Sequence, residues 1–332
     1  MAKITGTASN DLLYGTDAID IYKGLGGDDK FVWSKGNDLV YGGDGWDTMS
    51  YYHYIGDVTV KLAGGGRGAA IGSLGDTKYL YSIEAVILGN GSDVATGDSG
   101  ANTFFGRGGD DRFIYSPGED IMYGDDGWDT LDYFAYAGNL TIKMNGEKIG
   151  TVKASDGDLQ YFYSIEAIIL GRGNDVLTGD AGTNSIWGGA GNDNINGGKG
   201  NDILDGGSGN DVLRGNIGAD RLTGGKGADQ FIFKSIGEST VGASGRDFIT
   251  DFSRSQGDKI DLSAIDARTA TSKNDAFTFI GEKAFSDKAG ELRYFHKSGD
   301  TFVSGDVDGD GKADFALRLD KTIDLVKGDF IL

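Results

Sequence analysis

Aspartate recurs at a fixed interval along most of this chain. Asp193, Asp202, Asp211, Asp220 and Asp229 stand nine residues apart, each behind glycines and each two residues ahead of an apolar residue (Ile195, Leu204, Leu213, Leu222, Phe231). The same phase extends back to Asp175, to Asp93, Asp111, Asp120 and Asp129, and to Asp11, Asp20, Asp29, Asp38 and Asp47. Carboxylates stacked on one another repel strongly unless a cation lies between them. With a cation, they and the carbonyls of glycine turns complete the six to eight oxygen ligands that Ca²⁺ prefers; Mg²⁺ demands a smaller octahedral shell and holds its waters. All fifteen aspartates are therefore candidate calcium ligands. Asn102 and Asn184 take the place of aspartate in the same phase and mark weaker or empty rungs.

A period of nine fits neither a heptad nor a helical turn, so it must come from a repeated supersecondary unit. Written G-G-x-G-x-D-x-U-x, with U a large apolar residue, the unit reads as a tight six-residue turn followed by a three-residue strand. Glycine supplies the left-handed or crowded backbone of the turn, and the apolar eighth residue points inward. Two units make a coil of 18 residues. Asp193, Asp211 and Asp229 then line one edge, and Asp202 and Asp220 the other. Strands this short bury little apolar surface, so bound ions must supply much of the folding free energy.

The frame occupies arrays at 6–50, 88–132 and 170–232, separated by inserts at 51–87 and 133–169. A second repeat of 82 residues overlies the first: YSIEAVILGNGSDVATGD at 81–98 matches YSIEAIILGRGNDVLTGD at 163–180. The inserts alternate like strands (VTVKL, LTIKM) and are expected to be wider coils of the same solenoid. Their aromatic groups, SYYHY at 50–54, KYLYS at 78–82, DYFAY at 132–136 and QYFYS at 160–164, are expected to fill those coils. The alternative is a sugar-stacking face repeated once per 82 residues. Trp46 and Trp128 are expected to pack against the inserts.

With 59 glycines and one proline among 332 residues, the chain is neither collagen nor a proline-rich linker. A formal net charge of −20 speaks against nucleic acid and anionic membrane surfaces as partners. Cysteine is absent, which removes disulfides and thiolate metal sites. No N-terminal apolar signal segment is present, and no stretch approaches the ~18 apolar residues of a membrane helix. His53 and His296 supply no H-E-x-x-H zinc motif. No enzyme is expected.

The nonapeptides resemble the RTX family of calcium-binding repeats. That resemblance implies an all-β, right-handed parallel β-roll at 1–232, export through a type I secretion apparatus, and folding on extracellular Ca²⁺. RDFITDFSRSQGDKIDLSAIDA at 246–267, GDVDGDGKADFALRL at 305–319 and the closing DFIL resemble the C-terminal segment of serralysin-type secreted proteins. By that resemblance, residues 233–332 form a β-rich cap carrying an uncleaved secretion signal. Asp306, Asp308 and Asp310 with Gly311 imitate half of an EF-hand loop, but Leu317 stands where its glutamate belongs, so a solvated acidic turn is expected. The expected function is that of a monomeric, secreted matrix, adhesion or polysaccharide-binding module with acidic polysaccharide as a partner. A membrane-active, cation-channel-like protein and a polyuronate-modifying enzyme are the alternatives.

Overall fold

Three-residue strands dominate, because each nonapeptide spends six residues on its turn. The computed structural model describes residues 1–146, 148–270 and 273–332, and among them no α-helix forms. The chain divides into two compact units, Met1–Ala135 with Asn145–Ile168, and Tyr136–Met144 with Ile169–Leu332.

In the first unit, strands Ala2–Thr5, Asp20–Gly26 and Asp38–Asp44 stack in parallel in one sheet. Leu12–Tyr14, Lys30–Val32, Thr48–Ser50, Ala85–Ile87, Thr103–Phe105 and Ile121–Tyr123 stack in the other. The register advances by one 18-residue coil, as where Leu13 meets Phe31 and Phe31 meets Met49. Side chains at the eighth position of the repeat bury themselves between the sheets, among them Phe31, Val40, Met49 and Phe104.

The expected wider coil of the first insert takes the form of an antiparallel meander, Val58–Lys61, Gly68–Gly72 and Thr77–Tyr81. Its last strand runs parallel to Asp38–Asp44 and its first runs parallel to Val94–Thr96. The meander is thus spliced into the sheet between two arrays. In the second insert, Gly150–Ala154 and Leu159–Tyr163 pair antiparallel, and the latter lies parallel to Ile121–Tyr123, in the opposite sheet. The cause is parity. Successive strands alternate between sheets, and five nonapeptides per array are an odd number, so equivalent inserts fall on opposite sides.

The second unit repeats this plan. One parallel stack runs from Leu140–Lys143 through Val176–Thr178, Asn194–Lys199, Val212–Ile217 and Gln230–Ile232. The other runs through Ser185–Trp187, Ile203–Asp205 and Arg221–Thr223. Ile186, Ile195, Leu204, Leu213, Leu222 and Phe231 fill the space between them without exposure. The coil outlasts the nonapeptide frame: Phe248–Ile249 and Lys259–Asp261 add one strand to each stack. Phe315–Leu319 and Phe330–Ile331 then end the two stacks. Phe315–Leu319 also pairs antiparallel with Asp300–Asp306, which pairs with Glu291–Lys297, so this edge is covered by hairpins.

Each strand of the roll contributes about one fully buried aliphatic or aromatic side chain, and the six other residues of each nonapeptide lie in the turns.

Candidate metal centre

Every sixth-position aspartate except Asp11, whose carboxylate accepts only from Thr7 of its own turn, is tied to its neighbouring coil through one carboxylate oxygen. In the second unit the Asp193 N–H donates to Asp211 Oδ1 at 2.8 Å, and the Asp211 N–H to Asp229 Oδ1 at 2.9 Å. On the opposite edge Asn184 donates to Asp202 and Asp202 to Asp220, both at 2.8 Å. The first unit repeats the pattern from Asp11 to Asp29, Asp29 to Asp47, Asp20 to Asp38, Asp93 to Asp111 and Asp111 to Asp129. Where an insert interrupts the stack, Glu84 and Glu166 substitute for the missing aspartate, accepting the N–H of Asp47 and Asp129 at 2.8 and 2.9 Å.

The second carboxylate oxygen separates the rungs into classes. Oδ2 of Asp29, Asp47, Asp111, Asp129, Asp175, Asp193, Asp202, Asp211, Asp220 and Asp229 is buried with no hydrogen-bond partner among the described residues. A buried, unpaired carboxylate oxygen is among the costliest groups a fold can carry. The space beside it is kept open by glycine. A Cβ at Gly188 would lie 2.7 Å from Asp193 Oδ2 and 2.4 Å from the Gly206 carbonyl oxygen; at Gly24 it would lie 2.0 Å from Asp29 Oδ2 and 2.4 Å from the Gly42 oxygen. The result is a series of oxygen-lined gaps between coils, suited to a hard divalent cation.

The remaining in-frame aspartates have protein donors on Oδ2. Asp11 accepts from the Thr7 amide and hydroxyl, Asp20 from those of Thr16, and Asp93 from the Gly89 amide at 3.0 Å. Asp38 meets Lys78 Nζ at 3.0 Å. Asp120 meets the Ser116 hydroxyl at 2.9 Å and Gln160 Nε2 at 3.2 Å. Asn102 and Asn184 accept the amides of Asp98 and Asp180.

Two features escaped the sequence reading. Asp247, beyond the last nonapeptide, accepts the Asp220 N–H at 2.9 Å and leaves its own buried Oδ2 unpaired. Asp258 accepts the Asp229 N–H at 3.1 Å. Their signal was present: Asp247 and Asp258 each precede an isoleucine by two residues, like aspartates of the repeat. The fifth position also forms a ladder in the reverse sense, for Asn174 accepts the N–H of Asn192, and Asn192 that of Asn210, both at 2.7 Å.

Burial pushes the Asp111 carboxyl up to about 8, aided by Asp93 and Asp129. Burial likewise raises Asp193 and Asp202 to about 7, with carboxylates of neighbouring coils adding to it. Asp247, fully buried, is raised to about 9 by desolvation and then by Asp220. The ladder thus resists negative charge until something positive compensates it.

The Peptidase M10 serralysin C terminal model matches residues 122–332, more than half of the chain. The chain belongs to this serralysin C-terminal family. In the same protein, the model of the RTX calcium-binding nonapeptide repeat (4 copies) matches residues 3–32, 34–51 and 87–122. These repeats bind Ca²⁺, and the oxygen-lined gaps of this family member fit that ion. Both matched models describe non-catalytic modules.

Among solved structures, the family member is similar to the AlgE6R2 subunit of the Azotobacter vinelandii mannuronan C5-epimerase. That match has 27% identity over 47% of this chain and 91% of that one, with a TM-score of 0.35. The AlgE6R3 subunit of the same epimerase matches at 27% identity, over 47% and 71% of the two chains, with a TM-score of 0.21. The extracellular lipase LipA from Serratia marcescens matches at 15% identity, over 98% and 39%, with a TM-score of 0.23. No curated protein matches the chain.

The acidic turn of the C-terminal region brings Asp306, Asp308 and Asp314 within 4.8 Å of one another. Asp306 accepts the amides of Gly309 and Gly311 at 2.6 and 3.0 Å, and Asp314 that of Val307 at 2.8 Å. These carboxylates close their own turn. His53 lies against Tyr52, and His296 contacts Thr301 at 3.2 Å and Asp324 at 3.3 Å.

Proposed function

We propose that this is a secreted calcium-binding protein whose roll folds when Ca²⁺ enters the gaps beside the unpaired Oδ2 atoms, and which then presents a sheet face to acidic polysaccharide. The observation that carries the first part is the row of buried aspartate oxygens without protein donors. Asp29, Asp47, Asp111, Asp129, Asp175, Asp193, Asp202, Asp211, Asp220 and Asp229, with Asp247 added, are the assigned ligands. Residues 233–332 complete the roll and carry the export signal recognised by a type I apparatus.

The second part is supported by the outer face of the first unit. Thr5, Lys23, Tyr41 and Tyr81 lie side by side in register across four strands, and Lys3, Ile21, Leu39 and Tyr79 form the adjacent row. Tyr41 and Tyr81 stack at 4.6 Å, and the Arg67 guanidinium lies 4.2 Å over Tyr79. Rings and cations gathered on one face of a chain with net charge −20 suit a polymer that is flat in its sugar rings and anionic in its substituents. The aromatic groups of the inserts are therefore split. Tyr51, Tyr54 and Tyr133 are buried as packing, whereas Tyr79 and Tyr81 face outward.

Circular dichroism of chelated protein, titrated with Ca²⁺ and separately with Mg²⁺, tests the first part; full β-structure without Ca²⁺ would overturn it. Calorimetry with polyuronate in Ca²⁺ tests the second. Binding that weakens at least tenfold in Tyr41→Ala/Lys23→Ala supports it, and no binding by the folded protein removes it.

A further inference from the structure

The geometry points to two rungs of the ladder that the protein closes with its own side chains, Lys78 at Asp38 and Gln160 at Asp120, so that neither takes calcium. This inference rests on the calcium reading above and sets its limits.

Lys78 and Asp38 are both buried, and their contact spans 40 residues. Lys78 Nζ stands 2.7 Å from the Ser34 carbonyl oxygen, 2.5 Å from that of Gly36 and 3.0 Å from Asp38 Oδ2. Ser34, Gly36 and Asp38 are the second, fourth and sixth residues of their nonapeptide. An ammonium group with three donors thus satisfies the carbonyl and carboxylate oxygens of one turn. It does there what a metal ion would do, with a positive charge fixed to the chain.

The equivalent site one 82-residue repeat later is built alike with a different group. Gln160 Nε2 donates to the Ser116 carbonyl at 2.7 Å and approaches Asp120 Oδ2 at 3.2 Å and the Gly118 oxygen at 3.5 Å. The pair of exchanges is chemically consistent. Gln160 has an acceptor to spare, and the Tyr133 hydroxyl donates to it at 2.6 Å. Lysine has none, and the Tyr51 hydroxyl, equivalent to that of Tyr133, is buried with no partner among the described residues.

Both donors come from the last strand of an insert, Thr77–Tyr81 or Leu159–Tyr163. Each adds to a serine hydroxyl of the turn itself, Ser34 at 3.5 Å from Asp38 Oδ2 and Ser116 at 2.9 Å from Asp120 Oδ2, whereas Oδ2 of Asp29, Asp47, Asp111 and Asp129 has neither kind of donor among the described residues. Each insert brings its own plug, and it is anchored to the preceding array by a bond that chelators do not remove.

The test is an anomalous-difference map of the wild-type protein crystallised in Ca²⁺. Peaks are expected beside Asp193 Oδ2 and Asp211 Oδ2 and none within 3 Å of Asp38 Oδ2 or Asp120 Oδ2. A peak at Asp38 with Lys78 displaced overturns the inference and leaves the ladder standing; absence of all peaks removes the ladder and this inference with it. In solution, Lys78→Ala should bind one more calcium per molecule than wild type, and Lys78→Gln none. Trp33, whose ring lies 6.0 Å from Lys78 Nζ, should sensitise Tb³⁺ emission in K78A, and that gain should vanish in K78A/W33F. Equal calcium counts in wild type and a folded K78A also overturn it.

Discussion

Asp193 and Asp211 share one hydrogen bond, from the N–H of the first to Oδ1 of the second at 2.8 Å, and the other oxygen of each carboxylate is left buried and unpaired. One oxygen sets the spacing of the coils and the other waits for a cation. The two roles are separable by mutation.

Asp211→Asn keeps an acceptor for the Asp193 amide and removes the ionisable oxygen. In chelator at pH 8, where the carboxylate raised to about 6 is charged, the variant is expected to be more stable than wild type by about 1–3 kcal/mol. In saturating Ca²⁺ the order should reverse. Residual β-structure by circular dichroism in chelator and thermal unfolding in Ca²⁺ read the crossing, and a variant with less structure in the first and lower stability in the second would separate Asp211 from the ladder.

Calcium affinity should rise with pH. Carboxyls at about 8 in Asp111 and about 7 in Asp193 and Asp202 lie far above the ~3.9 of an unfolded aspartate. Between those values the calcium-free fold binds more protons than the unfolded chain. Its stability is therefore greatest in acid and falls as pH rises toward 8. Ca²⁺ must displace those protons, so binding at pH 6 should be weaker than at pH 8 and should release protons, measured by calorimetry in buffers of different ionisation enthalpy. An affinity independent of pH would contradict the burial of these groups.

Gly207 has a φ of +92°, and a Cβ there would lie 2.3 Å from the Gly189 carbonyl oxygen. Gly207→Ala combines a left-handed backbone with overpacking and should cost about 2–4 kcal/mol. Urea unfolding in saturating Ca²⁺ measures it. Gly75 also has positive φ, but a Cβ there meets nothing within 4 Å, so Gly75→Ala should cost about half as much.

Asp247→Asn should lower the calcium count by one while leaving the roll intact. Its carboxylate extends the edge of Asp202 and Asp220 by one coil. An unchanged count by elemental analysis would place the last ion at Asp220 instead.

The nine-residue phase by itself determined the strands, the coil of 18 and the buried position of every in-frame aspartate after Asp11, because each depends on contacts that recur at one fixed separation. Ile195 above Leu213 and Asp193 beside Asp211 are local consequences of that period. Thr7, Thr16 and Ser116 close the rungs of Asp11, Asp20 and Asp120 from within the same repeat, and only the tertiary structure decided which rungs an insert reaches. Lys78 reaches Asp38 and Gln160 reaches Asp120 across about 40 residues, through meanders whose strand reversals leave no periodic trace. The same holds for Asp247, which rejoins the ladder 27 residues after Asp220, once the chain has left the nonapeptide frame. A repeat announces itself through regular spacing, whereas a plug or a cap acts at a separation used once, and such a contact can be found only when the chain is folded.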